Sequence, residues 1–447
     1  MGEKRKPSQE IISLSNLAKE KLIIPPYQRP YKWEEIHVVR LLDDIFEFVI
    51  LNKKIYRIGS IILHHDGGNN IVDGQQRLTT ISLLLKQLDE TFSGLLMNET
   101  YSHKISKENI VNNFKVIDKW LYSKFGDDSD KNKKKGFYEK ICEKCEFVLF
   151  TVYNEDEAFQ LFDSQNSRGK DLEPYDLLKA FHLREMKFDS EPDRERCVEQ
   201  WEKSIDDKTL KPILGNHLFR IRKWSKNQGK YDFTKNEIAE FKGISLHNKQ
   251  QYPHESALRL LDGLVENAQN DKFLKNLHIS QSYPFSITMP IINGKRFFEY
   301  VDFYIQQKEN MLDKEKNCDF ANFYKTYCLG EEKENEKKYD GAERSGDKKV
   351  KNLYENILLA FVDKFGYIED FENYYKAFYK AAYIIRCNNG RIRKESILND
   401  SSLNIIRKIN NATQPSDLKK YQYKVYQEVN ESVKGINMIK TFIENGK

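Results

Sequence analysis

The chain has 447 residues, of which 39% are hydrophobic, 13% aromatic and 32% charged, with a formal net charge of +5. That length admits two or three domains at roughly 100–200 residues each, and apolar residues recur throughout, which excludes a disordered chain. No run approaches the roughly 18 apolar residues of a membrane span, and six scattered cysteines suit reduced thiols, so a cytoplasmic protein is expected. The charge balance neither demands nor excludes nucleic acid. Cys142 and Cys145 form one CxxC with no second pair at zinc spacing, which argues against a metal there.

Residues 9–24 read as a short helix or strand pair. Pro25, Pro26 and Pro30 then force an extended path toward Trp33. From Glu34 the spacing of Val38, Leu41, Leu42, Ile45 and Phe48 predicts a helix. Residues 58–64 and 71–73 predict a hairpin around the turn cluster 66–70. Residues 96–140 read as a lysine-rich helical excursion and 146–153 as a strand. A helix over 156–164 should stop near Asn166 and Gly169, and another should restart at 171–174 with Pro174 in its first turn. The rest is mostly helical, except 330–351, whose Glu, Lys, Gly341 and Gly346 predict a mobile loop. The expected class is α+β: a small mixed domain over 1–185 with a helical insertion at 96–140, then a large helical domain over 186–447.

The segment Ile71, Val72, Asp73, Gly74, Gln75, Gln76, Arg77 points most directly to a ligand. A strand ends, a glycine turns, and polar donors open a helix continued by Leu78, Ile81, Leu84 and Leu85. Free N–H groups and the helix dipole favour an anion there, and Arg77 can add a planar fork for phosphate. The plainer alternative is that Asp73 caps the helix and Arg77 pairs with a surface acid.

Three separated segments, 26–33, 72–79 and 162–170, together resemble the N-terminal, specificity-type domain of the GmrSD class of modification-dependent restriction proteins, which is similar to the ParB/sulfiredoxin fold. The stretches 175–179 and 382–386 also look like this family. The resemblance implies binding, and often hydrolysis, of an NTP (ATP or GTP) with Mg²⁺, in defence against phage with modified DNA. Carried over residue by residue, it assigns nucleotide binding to Gln28, Arg29, Asp73, Gly74, Gln75, Gln76, Arg77, Asn166, Arg168 and Gly169. Asp73, Gln76 and Arg77 would be catalytic, with Asp73 as magnesium ligand or water orienter. Many relatives add a His-Asn-His nuclease, and the nine histidines here do not form that signature. The nuclease partner is therefore expected to be a separate chain. A non-hydrolysing nucleotide-gated switch and a DNA nickase are the rival expectations, and a homo-oligomer stays open.

Two basic stretches are candidate DNA contacts: Arg220, Arg222, Lys223 and Lys226 around Trp224, and Arg386, Arg391 and Arg393 around a predicted turn at 388–390. Either could instead be a solvated helix face.

Overall fold

The computed structural model describes residues 6–25, 28, 30–51, 54–101, 104–126, 131–154, 157, 173–186, 189–247, 252–270, 283–313, 317–329, 339, 341–398, 400–418 and 436–445. Its contacts divide the chain into two units, Met1–Leu172 and Glu173–Lys447. The first is a mixed α/β unit and the second is helical, in keeping with the sequence pattern.

In the first unit five strands form one sheet: β1 (Ser8–Ser13), β2 (Leu22–Ile23), β3 (Tyr56–His65), β4 (Asn69–Asp73) and β5 (Cys145–Val152), in the order β1-β5-β3-β4-β2. β3 and β4 are the expected antiparallel hairpin, and β5 returns parallel to β3. The alternating side chains divide between the two faces. Ile61, Ile71, Phe147 and Leu149 join the main core, whereas Ile62, Val72 and Val152 form a smaller cluster. The main core is roofed by α1 (Leu14–Leu17), α2 (Glu35–Ile45), α3 (Gln75–Leu88), α4 (Lys104–Phe125) and α5 (Lys131–Lys144). Leu78, Ile81 and Leu84 of α3 are fully buried, each contributing about 1.5–3 kcal/mol by leaving water.

The lysine-rich excursion is a wall of this core. Asn109 and Asn113 on α4 donate amide hydrogens to the carbonyls of Tyr31 and Trp33, at 3.0 and 2.7 Å, and Ser106 accepts the Tyr31 N–H at 2.9 Å. Tyr31 is fully buried, its hydroxyl 2.7 Å from Thr80 Oγ1. The proline-rich segment is thereby fixed against α3 and α4.

The helical unit begins with α6 (Pro174–Glu185), whose first turn holds the expected proline. His182 on α6 is fully buried and stacks 3.7 Å from Phe297, and Lys179 pairs with Glu202 at 2.9 Å. These contacts tie α6 to α7 (Glu191–Asp206) and to α10 (Lys295–Met311), and the domain boundary near 185 expected from sequence falls within that packing. The unit continues through α8 (Phe219–Ser225), α9 (Pro253–Asn270), α11 (Cys318–Tyr324), α12 (Ser345–Phe365), α13 (Phe371–Asn388), α14 (Lys394–Ile397), α15 (Asp400–Asn411) and α16 (Ile436–Asn445).

The loop expected over 330–351 is overturned for residues 345–351, which are helical. Residues 330–338 lie outside the described residues, but Ser345 already starts α12, because Asp347 and Val350 are buried in its first turns. Gly346 lets those turns meet the 390–392 segment, since a Cβ there would lie 3.0 Å from Ile392 Cβ. Among the described residues no helix is long and apolar enough to cross a membrane.

Candidate functional site

β4 delivers the chain to Gly74 at φ +104°, a conformation that disfavours any Cβ, and a Cβ would also lie 3.0 Å from Ile61 Cγ1. Gly74 is the cap residue of α3 and has no side chain to give, so no side-chain hydrogen bond caps this 14-residue helix. Asp73 therefore does not cap it. Its carboxylate instead takes an N–H of Arg77 at 3.3 Å. The first-turn N–H groups of α3 thus lack a side-chain cap and carry the positive end of the dipole.

Arg77 Nη2 also donates to the Ser60 carbonyl at 2.8 Å. That carbonyl is presented where the β3–β5 register slips between Arg57 and Gly59. Gly59 has φ +145°, and a Cβ there would overlap Arg77 Nη1 at 1.9 Å. The guanidinium fills the space a side chain at 59 would take. Asp73 and Arg77 each remain about a quarter exposed, at 22% and 24%.

Two residues expected to donate to a ligand are braces instead. Gln76 accepts the N–H groups of Lys32 and Trp33 at 2.8 and 3.2 Å and donates to the Pro30 carbonyl at 3.0 Å. Both ends of its amide are occupied, so the structure does not hold it as a catalytic group. Gln28 Nε2 donates to the Ile71 and Val72 carbonyls, both at 2.8 Å. The spacing of 26–33 and 72–79 in the sequence carries no sign that one segment is strapped by the other.

Gln75 is different. It is only 5% exposed, and its Oε1 is buried without a hydrogen-bond partner. A buried amide oxygen left unpaired costs about 1–3 kcal/mol. Arg29, Asn166, Arg168 and Gly169 lie outside the described residues. Among the described residues no group of three or more His, Cys, Asp or Glu could hold a metal. Burial pushes the Cys145 thiol up to about 12, so it stays protonated at neutral pH.

The first basic stretch is corrected by the structure. Arg220 and Arg222 are 6% and 5% exposed, and their guanidinium groups are taken up by internal partners rather than presented to a DNA backbone. Arg222 bonds Glu240 at 3.0 Å and the carbonyls of Ile287 and Met289 at 2.6 and 2.8 Å. Arg220 lies 3.6 Å over the Tyr231 ring. Lys223 and Lys226 converge on the same Glu240 at 2.7 and 2.8 Å. Burial would raise that carboxyl, but these cations hold it below the usual range. Trp224 is in the core with its indole N–H on the Lys230 carbonyl. Phe219, Ile221 and Trp224 of α8 are core residues and Arg220 and Arg222 are buried with them, leaving Lys223 as the one partly exposed residue of this helix. Of the second stretch, Arg386 is buried, whereas Arg391 and Arg393 are exposed.

Residues 11–183 match the family described as "GmrSD restriction endonuclease, N-terminal domain". Residues 193–437, more than half of the chain, match the "Family of unknown function (DUF7834)". The chain belongs to the DUF7834 family and carries a GmrSD-type N-terminal domain. The region after that domain is therefore a DUF7834 region and not a His-Asn-His nuclease. No curated protein matches the sequence. The GmrSD-type match spans nearly all of the β-sheet unit and ends within α6, so Gly74 and the residues around it lie inside the matched domain.

Proposed function

We propose that this protein is the nucleotide-binding component of a modification-dependent restriction system. It takes the polyphosphate of an NTP, with Mg²⁺, at the start of α3, contacts DNA through its helical unit, and acts with a separate nuclease chain. The observation that carries the reading is Gln75: a nine-tenths buried amide with an unpaired Oε1, first in an uncapped helix. Uncapped N–H groups suit phosphate oxygens. The Gln75 amide, rotated about its last bond, can offer either its N–H₂ or its oxygen to the ligand. Asp73 would hold the ion, and Arg77, pinned by Ser60 and Gly59, would add fixed positive charge beside it. Arg29, Asn166, Arg168 and Gly169 complete the set by resemblance. Braces at Gln76 and Gln28 keep the strand, the turn and the 30–33 segment in register around it.

Hydrolysis is the leading reading, and a switch that binds without turnover is the second. Calorimetry with Mg²⁺ and each NTP, run beside a phosphate-release assay, separates them. Gln75→Leu gives the sharper test. It replaces a buried unpaired polar group by an apolar one of similar size, so the melting temperature should hold or rise. Nucleotide affinity should fall about tenfold or more, the worth of about 1.4 kcal/mol. Wild-type affinity in that variant, or no NTP binding by the wild type, would remove the proposal. Asp73→Asn should weaken binding chiefly through its Mg²⁺ dependence, seen as a shifted Mg²⁺ titration.

A further inference from the structure

The turn at 389–393 and the first turns of α12 enclose an open cavity of about 620 Å³. Arg344, Lys349, Arg391 and Arg393 line it, together with Ser345 and Gly390. The turn is built to aim its charges. Ile392 is 5% exposed and anchors the segment, while its neighbours Arg391 and Arg393 face outward. Buried Arg386 donates to the Gly390 carbonyl at 2.7 Å and pairs with Asp347 of α12 at 3.5 Å. Asn389 bonds back to the Ile385 carbonyl at 2.9 Å. Asp347 also lines the cavity, but it is 1% exposed and takes the Tyr339 hydroxyl as well, so it presents no free negative charge.

We propose that this cavity is a docking site for the phosphodiester backbone of duplex DNA. Four cationic side chains from two elements border one opening, and its acidic lining residue is already neutralised by Arg386. The cavity is open to solvent rather than enclosed, so a polymer can lie across its mouth. Backbone phosphates would be held by Arg391 and Arg393, with Arg344 and Lys349 opposite, independent of base sequence. The choice of DNA as the polyanion rests on the proposed restriction function, whereas the cavity and its charges do not.

The test uses the full-length chain and a fluorescent duplex, with anisotropy measured across a salt series. Arg391→Ala with Arg393→Ala should weaken binding about tenfold or more. It should also reduce the slope of log K against log salt by about 0.9 for each phosphate no longer held. Both positions are exposed, so the melting temperature should stay at the wild-type value. Lys349→Ala, on the other wall, should lower the slope by about 0.9 in the same way. Affinity and slope unchanged in the double variant would overturn the proposal. So would inorganic phosphate or tripolyphosphate binding tightly at this cavity while duplex does not, because the site would then serve a small anion. Nucleotide affinity of the double variant is measured alongside: retained NTP binding with weakened DNA binding confirms a separate site, and joint loss of both refutes it.

Discussion

Glu355→Ala is expected to cost on the order of 3–5 kcal/mol of stability, since it breaks a buried charge network by removing one partner. Glu355 lies on α12, accepts the Tyr324 hydroxyl of α11 and forms an ion pair with the Lys308 ammonium of α10 at 3.2 Å. His217 Nε2 is 3.8 Å away, and its Nδ1 lies 2.7 Å from Asn356 Oδ1. Asn356 continues the network to the Asn216 carbonyl at 3.0 Å. Alanine would leave the buried Tyr324 phenol with no acceptor and the Lys308 ammonium without its counter-charge, while His217 keeps Asn356. Glu355→Gln, which keeps an acceptor for Tyr324, should cost less. Urea unfolding read by circular dichroism gives both values.

The same network fixes the pH profile. Burial would raise the Glu355 carboxyl, but Lys308, His217 and Tyr324 bring it down to about 2. Burial, then Lys308, push His217 down to about 4. A histidine held neutral in the fold, with an ordinary value near 6.5 when unfolded, adds stability that is complete above about pH 6.5 and is lost as pH falls toward 4. Glu355 contributes above about 4.5 and fades as pH falls toward 2. His182, fully buried and bonded to the Phe241 carbonyl, acts in the same direction as His217. Stability should therefore drop steadily below pH 6.5. His217→Gln should reduce that slope by about one proton, or ~1.4 kcal/mol per pH unit. An unchanged slope would mean that His217 titrates normally in the fold.

The features legible in the sequence obey local rules. The hairpin, the Gly74 turn, the proline start of α6 and the change from mixed to helical structure all show as period, turn residue or cap. The illegible ones depend on contacts between distant residues. Arg220 and Arg222 read as a basic face because a string of residues does not reveal that both are buried with the core residues of α8. Gln76 and Gln28 read as ligand donors because amides with free hydrogens and amides strapped to a distant backbone look alike. Gln75 is the reverse case: only the folded chain separates it from its neighbour, by leaving it buried and unpaired. The outward Arg391 and Arg393 are visible in the sequence, but Arg344 and Lys349 are hidden within a segment expected to be a loop.

Gly59 and Arg77 should behave as one unit in a double-mutant cycle. Gly59→Ala is expected to destabilise by about 1–3 kcal/mol, because its Cβ meets the guanidinium and its φ of +145° strains any larger residue. Arg77→Ala should cost about 1.5–3 kcal/mol through loss of the charged hydrogen bond to Ser60, with Asp73 deprived of its partner. In the double variant the clash has no object, and only the backbone strain persists. Its cost should therefore fall short of the sum by ~1 kcal/mol, within the usual coupling of contacting residues. Thermal unfolding of the four proteins measures this. Costs that add within about 0.5 kcal/mol would show that the guanidinium does not occupy the space above Gly59. The cycle also separates two roles for Arg77. If the guanidinium serves only as a brace, nucleotide affinity in the single and double variants should track stability. If it also holds phosphate charge, Arg77→Ala should lose affinity well beyond Gly59→Ala at matched stability, and restoring stability by other means should not recover it.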